Sequence, residues 1–282
     1  MNKNKDWDWE INSKQENWRL GLAEIIHYKD LLIRFTKRDL SVRYKQTIIG
    51  PFWNFLQPLL TTLVYFFVFG KIAKISTDGA PPVLFFLAGT IIWAFFSDCF
   101  QSIQHTFINN AHIFSKVYFP RLVVPLSAIL SQSIRFLIQL LLFISIYLFY
   151  FFYFENVYPN WYILLLPLLV LLTAGFAFGL GLIVSVFVAK YRDLESLTQI
   201  LLRLFMFATP VIYPLSIIPE KYKIWFWLNP LTWVLETFRS AFLTRKQISF
   251  TYMAVCMSSV LIISLIGMVL FKKRELKVMD TI

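Results

Sequence analysis

The stretch that most constrains the fold is residues 29–69. Its first half is basic, and its second half carries no charge. The first half, KDLLIRFTKRDLSVRYKQ, carries six Lys and Arg residues, and the second, TIIGPFWNFLQPLLTTLVYFFVF, carries no charged side chain. A basic segment with an apolar stripe that leads into an uncharged apolar span is typical of a chain that lies on the inner face of a membrane and then enters it. Tyr28, Leu31, Leu32 and Phe35 form that stripe at helical spacing. We therefore predict an amphipathic interface helix and loop over residues 28–49, followed by a transmembrane helix.

The composition indicates that most of the chain lies in a membrane. The sequence is 58% hydrophobic and 15% charged, with a mean hydropathy of +0.63, whereas soluble domains are about 45–50% apolar and about 25% charged. Six apolar stretches are long enough to span a bilayer. They cover residues 50–70, 83–107, 122–154, 161–189, 197–215 and 248–271. We predict an all-α membrane protein with six transmembrane helices.

Residues 216–247 contain two further apolar pieces that are too short to cross a bilayer. Asn229 and Pro230 separate them, and pieces of this length favour a re-entrant hairpin on the outer side, between helices five and six. Trp225, Trp227 and Trp233 are then expected in the headgroup region, where tryptophan is enriched.

The distribution of basic residues predicts the orientation. Eighteen Lys and Arg residues fall on the side that holds both termini and seven on the opposite side, so both termini are expected in the cytoplasm. This asymmetry also explains the net charge of +11 without a nucleic-acid partner. The predicted segments are a cytosolic tail (1–27), the interface helix and loop (28–49), the six-helix domain (50–271) and a second cytosolic tail (272–282).

The sequence offers no constellation for catalysis. It has no G-x-x-x-x-G-K-[ST] motif that would cradle ATP phosphates. His27, His105 and His112 match no metal-ligand spacing, and Cys99 and Cys256 lie in apolar spans. We expect no catalytic residue, no metal site and no cofactor in this chain.

Three charged residues lie inside the predicted spans: Asp98, Arg135 and Arg203. Charges at such positions face a bundle interior or a wet cavity, because lipid solvates them poorly. They could form a cationic cavity mouth for an anionic substrate, or Asp98 and Arg135 could form a structural ion pair between two helices. Both interpretations hold together if Arg203 stays unpaired.

The aromatic residues also allow two interpretations. Lipid contact explains most of the 30 phenylalanines, but aromatic faces also stack on sugar rings and could line a polymer conduit. The candidates for a conduit are Tyr65, Phe66, Phe69, Tyr147, Tyr150 and Phe151. In span four, Gly175, Gly179 and Gly181 predict close helix packing.

The segment NNAHIFSKVYFPRLVVP (109–125) predicts a short cytosolic helix up to Tyr118, which Pro120 ends. Such a helix could be an ordinary interfacial turn or a surface that a motor subunit grips.

Four segments in order resemble the permease subunits of ABC polysaccharide exporters, which export lipid-linked O-antigen, capsule or teichoic acid. They are VRYKQTIIGPFWNFLQPLL, FSKVYFPRLVVPLS, AKYRDLESLTQILLRLFMFATPVIYP and LNPLTWVLETFR, and the resemblance extends over residues 35–280. It implies a homodimer in the bacterial inner membrane, bound to two separate subunits that hold ATP and Mg. It also implies an undecaprenyl-linked glycan as the substrate.

The resemblance implies roles for particular residues. Residues 31–44 correspond to the family's gate helix, and Ile49-Gly50 stands where the family has Leu-Gly. The implied substrate entrance comprises Arg34, Lys37, Arg38, Arg43, Lys45, Ile49, Gly50, Arg135 and Arg203. The implied coupling helix (109–118) comprises Asn109, Asn110, His112, Ile113, Phe114, Ser115, Lys116 and Tyr118. The implied outer gate comprises Trp225, Trp227, Asn229, Pro230 and Trp233.

Three other functions stay open at this point. A permease of the same build could export a drug or a small lipid, the chain could be a membrane-embedded transferase that acts on lipid-linked sugar, or it could be a channel without an ATPase partner. The transferase needs an acid–base constellation, which the sequence does not offer.

Overall fold

The computed structural model describes residues 26–45, 48, 50–154, 157, 159–244 and 249–279. The predicted N-terminal tail therefore lies almost entirely outside the described residues, and so does Ile49. The described residues form helices and turns and contain no strand, in agreement with the all-α prediction.

The helices are labelled in chain order. They are α1 (Lys29–Tyr44), α2 (Trp53–Tyr65), α3 (Pro82–Gln104), α4 (Thr106–Phe114), α5 (Val123–Tyr153), α6 (Leu166–Lys190), α7 (Asp193–Phe207), α8 (Glu220–Trp227), α9 (Pro230–Phe242) and α10 (Phe250–Met279). Short 3-10 turns at Gly50–Phe52, Trp161–Leu165 and Leu215–Ile217 precede α2, α6 and α8, and a π-helix at Phe66–Ile72 continues α2.

Within the described residues, five helical segments are long and apolar enough to cross a membrane. They are Gly50–Ile72, Pro82–Gln104, Val123–Tyr153, Trp161–Lys190 and Phe250–Glu275. Their bounds agree with those of five predicted spans to within a few residues. The last segment, Phe250–Glu275, extends beyond the predicted end at residue 271 into the predicted C-terminal tail.

The predicted fifth span, residues 197–215, is not one continuous helix. Helix α7 has 15 residues and ends at Phe207, and residues 208–214 form turns. Pro210 and Pro214 lie in this segment, and proline cannot continue a helix because it lacks the amide donor. Since 15 residues extend only about 22 Å, α7 is shorter than the roughly 30 Å hydrocarbon core. The count of six spans is therefore not confirmed.

Helix α3 is the most buried of the five long helices and packs against both α5 and α6, while α6 packs along α10 and α1 packs on α5. The predicted glycine packing in α6 is confirmed. A Cβ atom on Gly179 would lie 2.7 Å from Ser264 N, and one on Gly181 would lie 2.8 Å from Ile103 Cβ. Ser264 Oγ also donates to Gly175 O at 2.9 Å. Small side chains therefore set the distance between α6 and its neighbours.

The bundle has two distinct ends. At the α4 end, Phe107 stacks on Phe271 with ring centroids 4.7 Å apart, and Arg121 Nη1 donates to Glu275 O at 2.7 Å. The hairpin end holds α8, α9 and the loops before α3 and α6, where Asn160 N donates to Ala241 O at 2.9 Å.

The helices α8 and α9 are separated at Asn229 and Pro230, as the sequence predicted. Pro230 occupies the first turn of α9, and the Asn229 side chain caps the helix by accepting from Leu231 N at 3.1 Å, which is the usual arrangement for a helix start. The two helices differ in burial, because α8 has no buried residue and α9 is buried along nearly its whole length.

A buried arginine holds α9 to the turn that follows α7. Arg239 donates from Nη1 to Pro210 O at 2.7 Å and from Nη2 to Val211 O at 2.6 Å. Its guanidinium carbon lies 3.7 Å from the centroid of the Phe85 ring in α3. Arg239 therefore joins α9, the 208–214 turn and α3 at one point. Nearby, Asn229 Nδ2 also donates to Thr209 Oγ1 at 2.8 Å.

A glycine in α3 makes room for this arrangement. A Cβ atom on Gly89 would lie 2.4 Å from Val211 O and 2.9 Å from Arg239 Nη2. Any side chain here would push the turn away from α3, so the carbonyl that accepts from Arg239 can lie against the core only because residue 89 is glycine.

Replacement of Arg239 by Met should lower the free energy of unfolding by about 2–6 kcal/mol, because two buried carbonyls each lose a donor at about 1–3 kcal/mol. Arg274→Met is the matched control. Arg274 is exposed on α10, so its replacement should change stability by less than about 0.5 kcal/mol. Unfolding of the purified chain in mixed detergent–SDS micelles, followed by tryptophan fluorescence, measures both. Equal losses in the two variants would show that Arg239 does not anchor the hairpin end.

Candidate functional site

At the α4 end, one arginine joins α1 to α4. Arg38 Nη2 donates to Asn110 Oδ1 at 3.1 Å, and Arg38 Nε donates to Asp39 Oδ1 at 2.9 Å. The Arg38 guanidinium also lies over the Phe35 ring, 4.6 Å from its centroid. Arg38 is thus engaged on three sides, and its contacts fix the position of α4 relative to α1.

A second arginine of α1 reaches the long helices. Arg43 Nη1 donates to Gln132 Oε1 at 3.3 Å, and Gln132 Nε2 donates to Ser102 Oγ at 2.8 Å. The chain of contacts therefore runs from α1 through α5 to α3. Thr36 Oγ1 makes a longer contact of 3.5 Å with Ser127 O on α5.

Deeper in the bundle, Arg135 forms an ion pair with Asp98, which is one of the two predicted arrangements of these charges. Arg135 Nη1 lies 2.7 Å from Asp98 Oδ2, and Arg135 Nη2 donates to Gln57 Oε1 at 2.8 Å. These contacts tie α5 to α3 and α2. Since both terminal nitrogens of its guanidinium contact protein groups, Arg135 is a structural link between three helices.

The remaining basic residues of the implied entrance are exposed. Arg34 and Lys37 lie three residues apart on the exposed face of α1, where side chains at that spacing are neighbours. Lys45, at the end of α1, and Arg203, on α7, are also exposed. Gly50 has a positive φ of 54°. Glycine adopts this conformation without strain, so a glycine suits the turn before α2.

The predicted coupling segment divides into a buried and an exposed part. Helix α4 ends at Phe114, four residues before the predicted end at Tyr118, because residues 115–118 form turns and irregular structure before Pro120. Asn110 and Phe114 are buried and Ile113 is partly buried. The exposed members are Asn109, His112, Ser115, Lys116 and Tyr118. The segment therefore presents a polar and aromatic surface beside an anchored one.

The six candidate conduit residues form two groups, one on α2 and its π-helical continuation and one on α5, where Tyr147 stacks on Phe151 with ring centroids 6.2 Å apart. Tyr147 is buried and packs edge-on against Phe242, with ring centroids 5.4 Å apart, so it cannot line a passage in this arrangement. Tyr65 and Phe69 form an edge-on pair, and Tyr65 OH lies 3.5 Å from Met206 Sδ on α7. Phe66 is partly exposed beside them. Tyr150 and Phe151 lie near the C-terminal end of α5.

The residues of the implied outer gate have different surroundings. Trp225 is exposed, and Trp227 stacks on Tyr252 with centroids 4.3 Å apart and ring planes at 5°. Trp233 is only 1% exposed and lies in the core, so it does not lie in a headgroup belt. Its position in the buried helix α9 accounts for this difference.

Sequence reasoning missed Arg239 and the polar partners Gln57, Ser102 and Gln132. Arg239 is one of the seven basic residues that the charge distribution assigns to the outer side. The available signal was a single arginine inside the second apolar piece of the hairpin, since charged residues in such pieces are usually buried with partners. Within the described part of the chain, no group of three or more His, Cys, Asp or Glu residues could hold a metal ion.

Curated relatives share most of the chain's length. O-antigen export system permease protein RfbA of Klebsiella pneumoniae is 29% identical over 244 residues, which cover 86% of this chain and 92% of the relative. RfbA of Myxococcus xanthus is 29% identical, with coverage of 80% and 85%. Polysialic acid transport protein KpsM of Escherichia coli is 25% identical, with coverage of 84% and 91%.

The family model for the ABC-2 type transporter matches residues 31–243, which begin within α1 and end just after α9. That range contains most of the basic helix α1, the predicted coupling segment, the Arg135 ion pair and the Arg239 anchor. The chain therefore belongs to the ABC-2 type transporter family.

Proposed function

We propose that this chain is the transmembrane subunit of an ABC exporter that moves an undecaprenyl-linked polysaccharide outward across the bacterial inner membrane. Two copies form the membrane part, and ATP hydrolysis in two separate subunits, which hold ATP and Mg, drives the movement. Both termini and the α4 end lie in the cytoplasm. The names of the relatives, O-antigen export permease and polysialic acid transport protein, support this substrate class.

The observation that carries the proposal is the hydrogen bond between Arg38 and Asn110. It joins a short helix, one side of which is exposed, to the basic helix α1. A subunit that pushes on the exposed side of α4 would therefore move α1 as well, and α1 contacts α5 through Gln132. This is the connection that an ATP-driven export mechanism needs.

The exposed apolar face of α7 supports a homodimer. Leu197, Ile200, Leu201 and Leu204 are each about half exposed or more, and Arg203 lies on the same helix. We place the second copy against α7, because an arginine is less costly at a wet interface between subunits than in lipid. Tyr65 and Phe69 lie beside this helix and would border the glycan path.

Arg34 and Lys37 would attract the pyrophosphate head of the lipid carrier. They are exposed, whereas Arg38 and Arg43 contact protein groups. Positive charges on a cytosolic surface attract an anionic substrate and so raise its local concentration. The re-entrant hairpin formed by α8 and α9 would lie on the outer side, where the glycan leaves.

Tyr118→Ala should weaken binding of the ATPase subunit about tenfold or more, because exposed tyrosines are frequent hot spots of protein interfaces. Tyr118 is 72% exposed at the α4 end, and Tyr153, at the other end of α5, is 75% exposed. Tyr153→Ala is therefore a matched control that should bind normally. Copurification and ATPase activity in nanodiscs measure the effect. A loss in both variants, or in neither, would contradict the proposed coupling surface.

The paired charge reversal Arg34→Glu and Lys37→Glu should raise the KM for the lipid-linked substrate about tenfold or more, with a dependence on ionic strength. The control pair is Lys273→Glu and Arg274→Glu, which changes the charge equally at exposed positions of α10 at the same end. ATP-dependent transport in proteoliposomes gives both values. If the control pair raises KM as much as the α1 pair, head-group recognition does not reside on α1.

A further inference from the structure

Helix α3 carries a stripe of polar side chains that its neighbours leave partly exposed. From residue 84 to residue 104, every position of α3 is buried except 93, 94, 97, 98, 101 and 102. This spacing puts the partly exposed positions on one face of the helix. Those nearest the α4 end, with the residue that follows the helix, are polar and are called the α3 stripe: Ser97, Asp98, Gln101, Ser102 and His105. The stripe extends over about 12 Å.

The stripe lies between α5 and α7. Along one edge, Asp98 and Ser102 contact the polar side chains of α5 described above. At the other edge, His105 Nε2 lies 3.8 Å from Oε1 of Glu195, in the first turn of α7. Protein therefore flanks the stripe on both sides.

The end of the stripe that faces the hairpin is closed by apolar and aromatic side chains. Tyr65 OH of α2 lies 3.5 Å from Met206 Sδ of α7. The Trp93 ring, one turn before Ser97 on α3, packs against the Phe205 ring of α7 with centroids 5.9 Å apart. Helices α2, α3 and α7 thus meet directly beyond the stripe.

The stripe has hydrogen-bond acceptors that other protein groups do not use. Gln101 Nε2 donates to Ser97 Oγ at 3.1 Å, and within the described part of the chain neither side chain makes another hydrogen bond. Both side-chain polar atoms of Gln104 are buried without a partner, whereas Gln101 Oε1 and Asp98 Oδ1 are accessible. An accessible acceptor at membrane depth is costly in lipid, which offers it no donor. Water or a polar solute therefore suits the stripe better than lipid.

The charges beside the stripe favour a neutral solute that donates hydrogen bonds. The carboxylates of Asp98 and Glu195 are 27% and 41% exposed, whereas Arg135 is 10% exposed and already contacts Asp98 and Gln57. A pyrophosphate would meet two carboxylates here. The hydroxyl groups of a glycan can donate to carboxylate and amide oxygens, which replace the hydrogen bonds to bulk water that a glycan loses inside a membrane.

We propose that the α3 stripe is a hydrated wall along which the hydroxyl groups of the glycan pass through the half of the membrane nearest α4. The contact between Tyr65 and Met206 closes its far end in this conformation. The hydration follows from the residues of the stripe, whereas the glycan as its solute rests on the proposed function.

The first measurement is the rate at which 2-(trimethylammonium)ethyl methanethiosulfonate, which carries a permanent charge, modifies the full-length chain in nanodiscs. Ser97→Cys should react at least about tenfold faster than Ile134→Cys, because only the thiolate reacts and lipid disfavours it. Ile134 is 42% exposed on α5. It precedes Arg135 as Ser97 precedes Asp98, so the ion pair puts the two test positions at similar depth. The unaltered chain, whose two cysteines are buried, gives the baseline.

The second measurement is ATP-dependent glycan transport in proteoliposomes that contain the ATPase subunit. Gln101→Leu removes the amide and should slow transport about three- to tenfold, the effect of one lost hydrogen bond. Gln104→Leu is the matched control on the same helix. Gln104 is 2% exposed and lies off the stripe, so this variant should transport as the unaltered chain does. Modification of Ser97→Cys by the reagent should also slow transport, which gives a second measurement if Gln101→Leu does not fold.

Two sets of results would overturn the proposal. If Ser97→Cys reacts no faster than Ile134→Cys, the stripe is not hydrated, as expected if a second copy of the chain covers it. If Gln101→Leu and modified Ser97→Cys both transport normally, the glycan does not contact the stripe. Failure of the proposed function gives a different result, in which Ser97→Cys reacts rapidly but the complex hydrolyses ATP without moving any lipid-linked glycan.

Discussion

The hairpin end depends on the buried guanidinium of Arg239. A charge that is removed from water is stable only when protein groups replace its hydration, and here the carbonyls of Pro210 and Val211 accept from it while the Phe85 ring covers one face. Those carbonyls are free to accept because the chain turns after α7 instead of continuing as a helix. The break after α7 therefore supplies the carbonyls that stabilise the buried arginine of α9. Gly89 also contributes, because the absence of a side chain at this position allows the turn to lie against α3.

The α4 end is organised differently. Its polar contacts form a series from α4 to α1, α5 and α3, through Arg38, Arg43 and Gln132. At a deeper level, Arg135 ties α5 to α3 through Asp98 and to α2 through Gln57. Contiguous hydrogen bonds and packed helices are the physical means by which a displacement at one site reaches another. A fixed hairpin end and a polar, partly exposed α4 end are what we expect of a transporter whose energy input lies on one side of the membrane.

The sequence predicted the features that depend on local composition. Five of the long apolar stretches, the break at Asn229 and Pro230 and the close packing at the glycines of α6 follow from length, proline geometry and side-chain size, and they agree with the structure. The Asp98–Arg135 pair was also identified, because two opposite charges inside spans need each other. Features that depend on tertiary contacts were missed, since nothing near Arg239 in the sequence points to two carbonyls almost thirty residues earlier. The burial of Tyr147 and Trp233 depends in the same way on which helices pack together.

ATP-driven translocation of a lipid-linked glycan is the central step of the proposed function. The most direct measurement reconstitutes the full-length chain with its ATPase subunit in proteoliposomes and follows an undecaprenyl-linked oligosaccharide by accessibility to a glycosidase sealed inside the lumen. With ATP added outside, the account predicts that the glycan becomes cleavable over time, and that it stays intact with a non-hydrolysable analogue. Cleavage at the same rate without hydrolysis, or transport of small lipids or drugs while the glycan stays outside, would contradict it.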